Sequence, residues 1–380
     1  MNNSAFAEQI EELRAFNDMA HSFAKKELSA HVHDHEFPYE RGITGVMEMA
    51  REAGLFGINL PMDWGGTGLN ASALAGIMEE ISAIDAGMAG VLFTHAAALE
   101  IISVAAESDK ENCRSIYQVA ATPDSVPLAF QSYTSPDEID IPEVSGKGKH
   151  LLSGHLRFLV LGGMARYAVA AGIGKGGKGY SYYLIDPGGE GVIKSGPILT
   201  LGFQACQAVD VDLKDVPGLL IGSEGNGESY FQKMLCRMSL SAAAISLGIM
   251  EGCFKEALDY ASQRYQGGRN IVEWSAVRMK LAEIAIRIEM GMSCLFGIRS
   301  AWDASSTNGD RAALAAAIHL GELACSATSE GVQLLGGNGY MKDYGQEKRM
   351  RDARQARALL GMSGLKKMHY IERIIEEAKV

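Results

Sequence analysis

The residues whose types and spacing could do chemistry lie in Gln333–Leu360, QLLGGNGYMKDYGQEKRMRDARQARALL. Gly336, Gly337, Asn338 and Gly339 interrupt a long helical pattern. Three glycines and an asparagine tolerate positive φ and let main-chain N–H groups approach a ligand. Behind them Lys348, Arg349, Arg351, Arg354 and Arg357 concentrate positive charge. A second constellation is Tyr260–Val272, YASQRYQGGRNIV, in which Arg264 precedes the Gly267-Gly268 break and a second basic residue. Guanidinium groups grip phosphate oxygens in pairs. Both patterns suit an anionic, phosphate-bearing ligand, although a glycine-capped helix end explains either one alone.

The elements that must position these residues follow from periodicity. Apolar residues recur at helical steps over 5–30 (Phe6, Ile10, Leu13, Phe16, Met19, Phe23, Leu28), then over 43–54, 71–85 and 90–106. The Gly-rich connection LPMDWGGTGL, Leu60–Leu69, separates the second and third, and Glu79-Glu80 sits near the end of the third. Between 126 and 220 short β-type runs replace helices: Pro127–Phe130, His150–Ser153, Tyr167–Ile173, Tyr180–Ile185, Gly191–Ile193 and Ala208–Leu213. Gly174–Gly179, GKGGKG, reads as a hairpin tip, since no GxxxxGK[ST] pattern leads into a helix. Segments 228–265, 271–305, 309–335 and 355–378 are helical again, a four-helix bundle by length and loop spacing. The predicted fold is α+β and mostly α: an N-terminal helical domain over 1–123, a middle antiparallel β-domain over 124–226 and a C-terminal bundle over 227–380.

A net charge of −11 on 380 residues argues against non-specific nucleic-acid binding. Cys113, Cys206, Cys236, Cys253, Cys294 and Cys325 show no metal spacing, so no metal is expected and a reducing, cytoplasmic location is. Glu8, Glu11, Glu12 and Arg14 interrupt any signal-peptide pattern, and no apolar run is expected to reach membrane-spanning length.

Taken together, the LPxxWGGxGL spacing before an EE pair, the Val209–Pro217 strand, the QLLGGNGY turn and the MRDA segment resemble the FAD-dependent acyl-CoA dehydrogenase family. The resemblance covers nearly the whole chain and implies an oxidoreductase binding FAD and an acyl-CoA thioester. It assigns FAD contacts to Gln333, Gly336 and Gly337, which in the family hold the cofactor across a subunit boundary. Arg264 keeps the Arg of the family's RxxFGxxI segment, and Gly267 stands where its Phe would touch FAD. In Ser153–Gly163, Phe158 matches the aromatic laid against the flavin and Val160 replaces the Thr that bonds the flavin edge. The family's TEPxAGSD-like loop around the flavin and the acyl-CoA entrance is barely kept in Phe130–Ile139, FQSYTSPDEI, where Ser132, Tyr133 and Thr134 are the remaining hydrogen-bond donors. Gly361 and Arg237 would border the acyl-CoA.

Removing an α-proton needs a carboxylate. The family's glutamate is expected at Leu360, and its alternative site is Met238; neither can take a proton. Asp85 and His95 are the substitutes to weigh, against a helix cap and a core histidine respectively. Asp352 is expected to pair with nearby arginines. Three functions are compatible: a flavoprotein acting on or binding an acyl-CoA thioester with a relocated or absent base; a non-catalytic partner subunit of a heteromeric acyl-CoA dehydrogenase; and a flavin monooxygenase or desulfinase/eliminase on the same fold, the expected assembly being a homo- or heterotetramer with an acyl-CoA dehydrogenase-like subunit. Electron-transfer flavoprotein is a possible partner.

Overall fold

The computed structural model describes residues 15–378 apart from 38–42, 65, 121, 123–126, 147–148, 177–178 and 304–307, and without the side chains of 301–303, 308 and 377. Phe6, Ile10, Leu13, Gly65 and the expected boundary at 123/124 therefore lie outside the described residues. Helix α1 spans 15–23 and runs into a π-turn at Ala24–Leu28 that buries Ala24 and Leu28. Helices α2 (Thr44–Glu52), α3 (Ala71–Ile84), α4 (Ala86–Ala106) and α5 (Lys110–Ala120) complete the first helical block. The sequence reading leaves out α5, although Cys113, Ile116, Tyr117 and Ala120 are buried at helical spacing. Asn70 caps α3 by accepting the Ala73 N–H at 3.0 Å, and Asp85 caps α4 by accepting that of Gly87 at 2.9 Å.

The middle region is a six-stranded sheet of β1 (Glu143–Ser145), β2 (His150–Val160), β3 (Ala168–Gly174), β4 (Tyr180–Ile185), β5 (Val192–Lys194) and β6 (Ala208–Ile221). The order is β2-β1-β3-β4-β6-β5, and a further β2–β6 pairing makes the sheet return on itself. Pairing is antiparallel, as expected, except between β1 and β3, which run parallel. β6 does not leave the sheet at Pro217: that residue pairs with Leu151 and the strand continues to Ile221.

The C-terminal block holds α6 (Gly227–Gln263), a hairpin of β7 (Tyr265–Gln266) and β8 (Arg269–Asn270), α7 (Ser275–Asp303), α8 (Asn308–Leu335), α9 (Gln346–Ala356) and α10 (Ser363–Glu377). The helix expected over 355–378 is thus broken in two. Leu360 at φ 63° and Gly361 at φ 112° occupy left-handed conformations that no α-helix accepts. Contrary to expectation, three helices among the described residues are long and apolar enough to cross a membrane, Ala86–Ala106 among them. The apolar window of α4 is 94% buried, because the helix runs through the interior and meets protein on every side.

One buried ion cluster joins the three regions. Lys348 Nζ on α9 donates to Asp85 Oδ1 at 3.0 Å and Asp352 Oδ2 at 2.6 Å. Asp352 Oδ1 accepts the Phe203 N–H at 2.7 Å, and His35 lies 3.5 Å from Asp85. Burial would push the Asp85 carboxyl up, but Lys348 and His35 hold it well below the usual carboxylate range. Asp352 therefore pairs with a lysine rather than an arginine. Three more residues of the basic run are committed within the fold, Arg349 to Glu256, Arg351 to Glu36 and Glu347, and Arg357 to Ser363, while Arg354 is exposed. A second joint is His95, whose Nε2–H donates to Phe56 O at 2.8 Å while Nδ1 accepts the Leu128 N–H at 3.1 Å.

Lys348→Met leaves two carboxylates buried without a cation, and urea unfolding at pH 7 should register a loss of about 3–5 kcal/mol. His95 gives a pH signature. Burial lowers its pKa from 6.5 to about 4, so the folded state resists a proton that the unfolded chain accepts. Its contribution is full above about pH 6.5 and is lost as pH falls towards 4, about 3 kcal/mol at roughly 1.4 kcal/mol per pKa unit. Unfolding free energies at pH 7, 5.5 and 4 should show that slope, and His95→Gln should flatten it.

Candidate cofactor and acyl site

The corner between α9 and α10 is built to hold an unfavourable backbone. Lys366 Nζ donates to Arg357 O at 2.8 Å and Leu359 O at 2.9 Å, pinning the turn that carries Leu360. Burial and the Arg357 charge pull this amine down to about 8. The Leu360 N–H donates to Ser132 O at 2.8 Å, and the Met362 N–H to Glu138 Oε1 at 3.0 Å. Glu138 Oε2 also accepts the Ser135 N–H at 2.7 Å, closing a capping box over Pro136–Glu138. The loop expected to wrap the flavin and the acyl-CoA entrance is thus strapped to the corner by two hydrogen bonds.

Behind the strap the space is filled. Thr94 Oγ1 donates to Gly90 O at 2.8 Å, so the Ser132 hydroxyl, also 2.8 Å away, spends its proton on Thr94. Ser132 and Val160 are 0% exposed. Phe158 sits at φ 56° beside a register shift in the β2–β6 pairing, which re-aims its side chain. Its ring meets Tyr133 edge-on at 5.7 Å, and Tyr133 in turn meets Phe203 at 6.2 Å. The cavity lined by Phe130, Thr134, Tyr182 and Phe231 measures about 10 Å³, room for one water at most.

The candidate bases are all committed elsewhere. Leu360 and Met238 are buried and apolar. Asp85 caps α4 and pairs with Lys348, as the cap reading expects, and both nitrogens of His95 are bonded. Arg237 does not border an open acyl site, since its guanidinium is bonded to Glu100 at 2.5 Å and to Glu107. Gly361 is buried, and a Cβ there would come 3.1 Å from Glu138 Oε2.

The nucleotide-type residues are placed differently. Gln333, Gly336, Gly337 and Arg264 are all exposed. Asn338 Nδ2 donates to Tyr260 Oη at 3.0 Å, which brings the turn after α8 to the end of α6, one turn before Arg264. Within Gly336–Tyr340 only Gly336 has positive φ, at 60°; the segment is otherwise a 3₁₀ turn. A Cβ added at Gly268, Gly336 or Gly337 would meet nothing within 4 Å, so this cradle is open. A cleft of about 460 Å³ beside it is lined by Tyr260, Gln263, Tyr344 and Arg349. The residues present therefore fit the diphosphate end of a dinucleotide, while the ring seat of the same chain is filled by its own side chains.

Sequence reasoning missed Glu138 and Lys366, and took Lys348 only as part of a basic run. For Glu138 a signal exists, because Ser135-Pro136-Asp137-Glu138 has capping-box spacing. Lys366 bonds main-chain carbonyls, which nothing local marks; Lys348 stands four positions before Asp352, but its second partner, Asp85, is 263 positions away.

Models of the acyl-CoA dehydrogenase N-terminal domain and C-terminal domain match residues 10–113 and 225–375. The caffeyl-CoA reductase–Etf complex subunit CarC of Acetobacterium woodii is 26% identical, over 96% of this chain and 97% of that protein. The short-chain specific acyl-CoA dehydrogenase of Clostridium acetobutylicum is 28% identical, over 92% of this chain and 94% of its own length. Butyryl-CoA dehydrogenase from Megasphaera elsdenii superposes with a TM-score of 0.86 at 22% identity, covering 96% of this chain and 98% of that one. Members of this family are FAD-dependent flavoproteins with acyl-CoA dehydrogenase-like function. A helical domain, a closed β-layer, a helical bundle and both domain matches converge: the chain belongs to the acyl-CoA dehydrogenase family.

Proposed function

We propose that this chain is a non-catalytic partner subunit of a heteromeric acyl-CoA dehydrogenase, lending its open cradle to FAD shared with a neighbouring chain that carries its own base. The observation behind this reading is the strapped corner, where Leu360 N–H ends on Ser132 O and Glu138 takes the Met362 N–H. Bound FAD supplies a hydride acceptor for α,β-dehydrogenation. The chain's own residues must then supply a carboxylate and room for a thioester. Here the base position is leucine, and the space beside Thr134 and Phe231 admits one water.

Association with other chains is supported by exposed apolar residues along α7, Met279, Ile286, Met290 and Phe296. A groove of about 760 Å³ between α7, α8 and α10 is lined by Met290, Ile298, Leu320 and Tyr370. Such a surface suits a tetramer of like folds. CarC, a relative at 26% identity, is named as a subunit of a reductase–Etf complex, which supports an electron-transfer flavoprotein as a partner of the assembly. The six free thiols accord with a cytoplasmic location.

A second reading has one observation in its favour: the Glu138 carboxylate stands 3.1 Å from where a Cβ on Gly361 would be, and it would be the relocated base of an active enzyme.

Visible spectra separate the two. The chain purified alone should be colourless, and co-expression with a homologous chain bearing the glutamate should give a yellow complex bleached by acyl-CoA. A yellow single chain bleached by acyl-CoA, with the bleaching lost in Glu138→Gln, would sink the partner-subunit reading in favour of the second. Leu360→Glu in the isolated chain should give no turnover in a dye-reduction assay, because a carboxylate alone does not open the strap.

A further inference from the structure

Glu138 spends both carboxylate oxygens on main-chain N–H groups from two different segments. Oε1 accepts from Met362, at the head of α10, at 3.0 Å, and Oε2 accepts from Ser135, at the base of the strap, at 2.7 Å. Gly361 makes room for it. At φ 112° its backbone favours glycine, and a Cβ there would come 3.1 Å from Glu138 Oε2 and 3.5 Å from Ser135 N. The charge of the carboxylate is also welcome. Met362 heads a 15-residue helix, whose first turn favours an anion. Glu138 also attracts the buried Lys366 ammonium, against the burial and the Arg357 charge that pull that amine down to about 8. The socket is thus a set of donors arranged for one carboxylate, and Glu138 is only half-buried in it.

The shut form carries costs that this contact must offset. The Tyr133 and Tyr182 hydroxyls are buried with no hydrogen-bond partner. Tyr182 stands on the wall of the space of about 10 Å³ behind the strap. Leu360 is held at φ 63°. Unpaired buried hydroxyls and a left-handed leucine both favour release, since lifting the strap returns those hydroxyls to water or to a ligand. Against release stand the Glu138 bonds, the Leu360 N–H on Ser132 O at 2.8 Å, and His369 Nε2, 3.8 Å from Asp137 Oδ2.

We infer that Glu138 is an autoinhibitory latch, a tethered carboxylate seated on the Met362 and Ser135 N–H groups that holds residues 131–138 shut over the acyl corner. The inference rests on the reading of that corner as closed, and it gives the closure a switch. Removing the one carboxylate frees the strap. The affinity of the corner for an acyl-CoA is then scaled by the fraction of chains in which the strap is free.

Amide hydrogen exchange of the full chain, read by mass spectrometry, tests the latch. In Glu138→Ala the peptides over 131–139 and 358–363 should exchange about tenfold faster, while those of α8 stay at the native rate. Sodium formate, a free carboxylate small enough to refill the socket, should restore protection in that variant and leave the native chain unchanged; sodium chloride at equal ionic strength should restore nothing. Calorimetry with butyryl-CoA should show binding to Glu138→Ala at least about tenfold tighter than to the native chain, with formate competing. Glu138→Gln keeps the shape and one acceptor but turns an NH₂ towards one of the two donors, so its exchange should fall between the native and alanine rates. If the alanine variant does not fold, native-like exchange in Glu138→Gln overturns the proposal. Native protection in Glu138→Ala would overturn it too, as would loosening that formate does not reverse. A loosened strap with no gain in butyryl-CoA affinity would overturn the autoinhibitory role. The partner-subunit reading fails on a different result, a native chain that is itself yellow and bleached by acyl-CoA.

Discussion

A lysine ammonium buried between two aspartates sets where everything else sits. Lys348 is out of water, and an isolated charge there would cost several kcal/mol. It is tolerable only while Asp85 at the head of α4 and Asp352 on α9 both reach it. Asp352 adds the Phe203 N–H, so a loop of the β-region is fixed by the same group. Arg351 extends the clamp to Glu36 with paired bonds of 2.7 and 3.1 Å. The helix so anchored is α9, and its far end is the corner that carries Leu360. The corner thus inherits its position from an ion cluster, and its chemistry from the side chains that meet it.

Much of the fold was legible in the sequence for a simple reason. Helices such as α2 and α8 bury one apolar stripe, and the stripe repeats at helical steps whatever the tertiary context. The break at Leu360 was not legible, because a left-handed leucine carries no local mark; Gly361 alone reads as an ordinary glycine. The basic run was misread for the opposite reason. Lys348, Arg349 and Arg351 have phosphate-binding chemistry, and besides the neighbouring Asp352 and Glu347 they have carboxylate partners 93 to 315 positions away in Glu256, Asp85 and Glu36. The glycine turn and Arg264 lie exposed on the surface.

The two halves of the expected site therefore answer to different constraints. The cradle is made of glycines with nothing near them and of an arginine at a helix end, and it stays open without a ligand. The ring and acyl half is made of groups that must be satisfied when buried. Several have found a partner within the chain, Ser132 its Thr94, the Leu360 N–H its Ser132 carbonyl and Met362 its Glu138, while the buried Tyr133 and Tyr182 hydroxyls have none.

That satisfaction separates a closed design from a collapsed pocket. A non-glycine residue at positive φ costs on the order of 1–3 kcal/mol and persists only where its surroundings over-determine it. Leu360 and Phe158 both carry that cost, on opposite sides of the same loop. Leu360 is held by Ser132 O and by the Lys366 bonds beneath it, and Phe158 by its N–H on Asp210 Oδ1 at 2.9 Å and by the Tyr133 ring. A pocket that had merely lost its ligand would keep the strained backbone with its polar groups facing empty space. Here the main-chain groups beside the strained positions, and the Ser132 hydroxyl with them, are bonded within the chain.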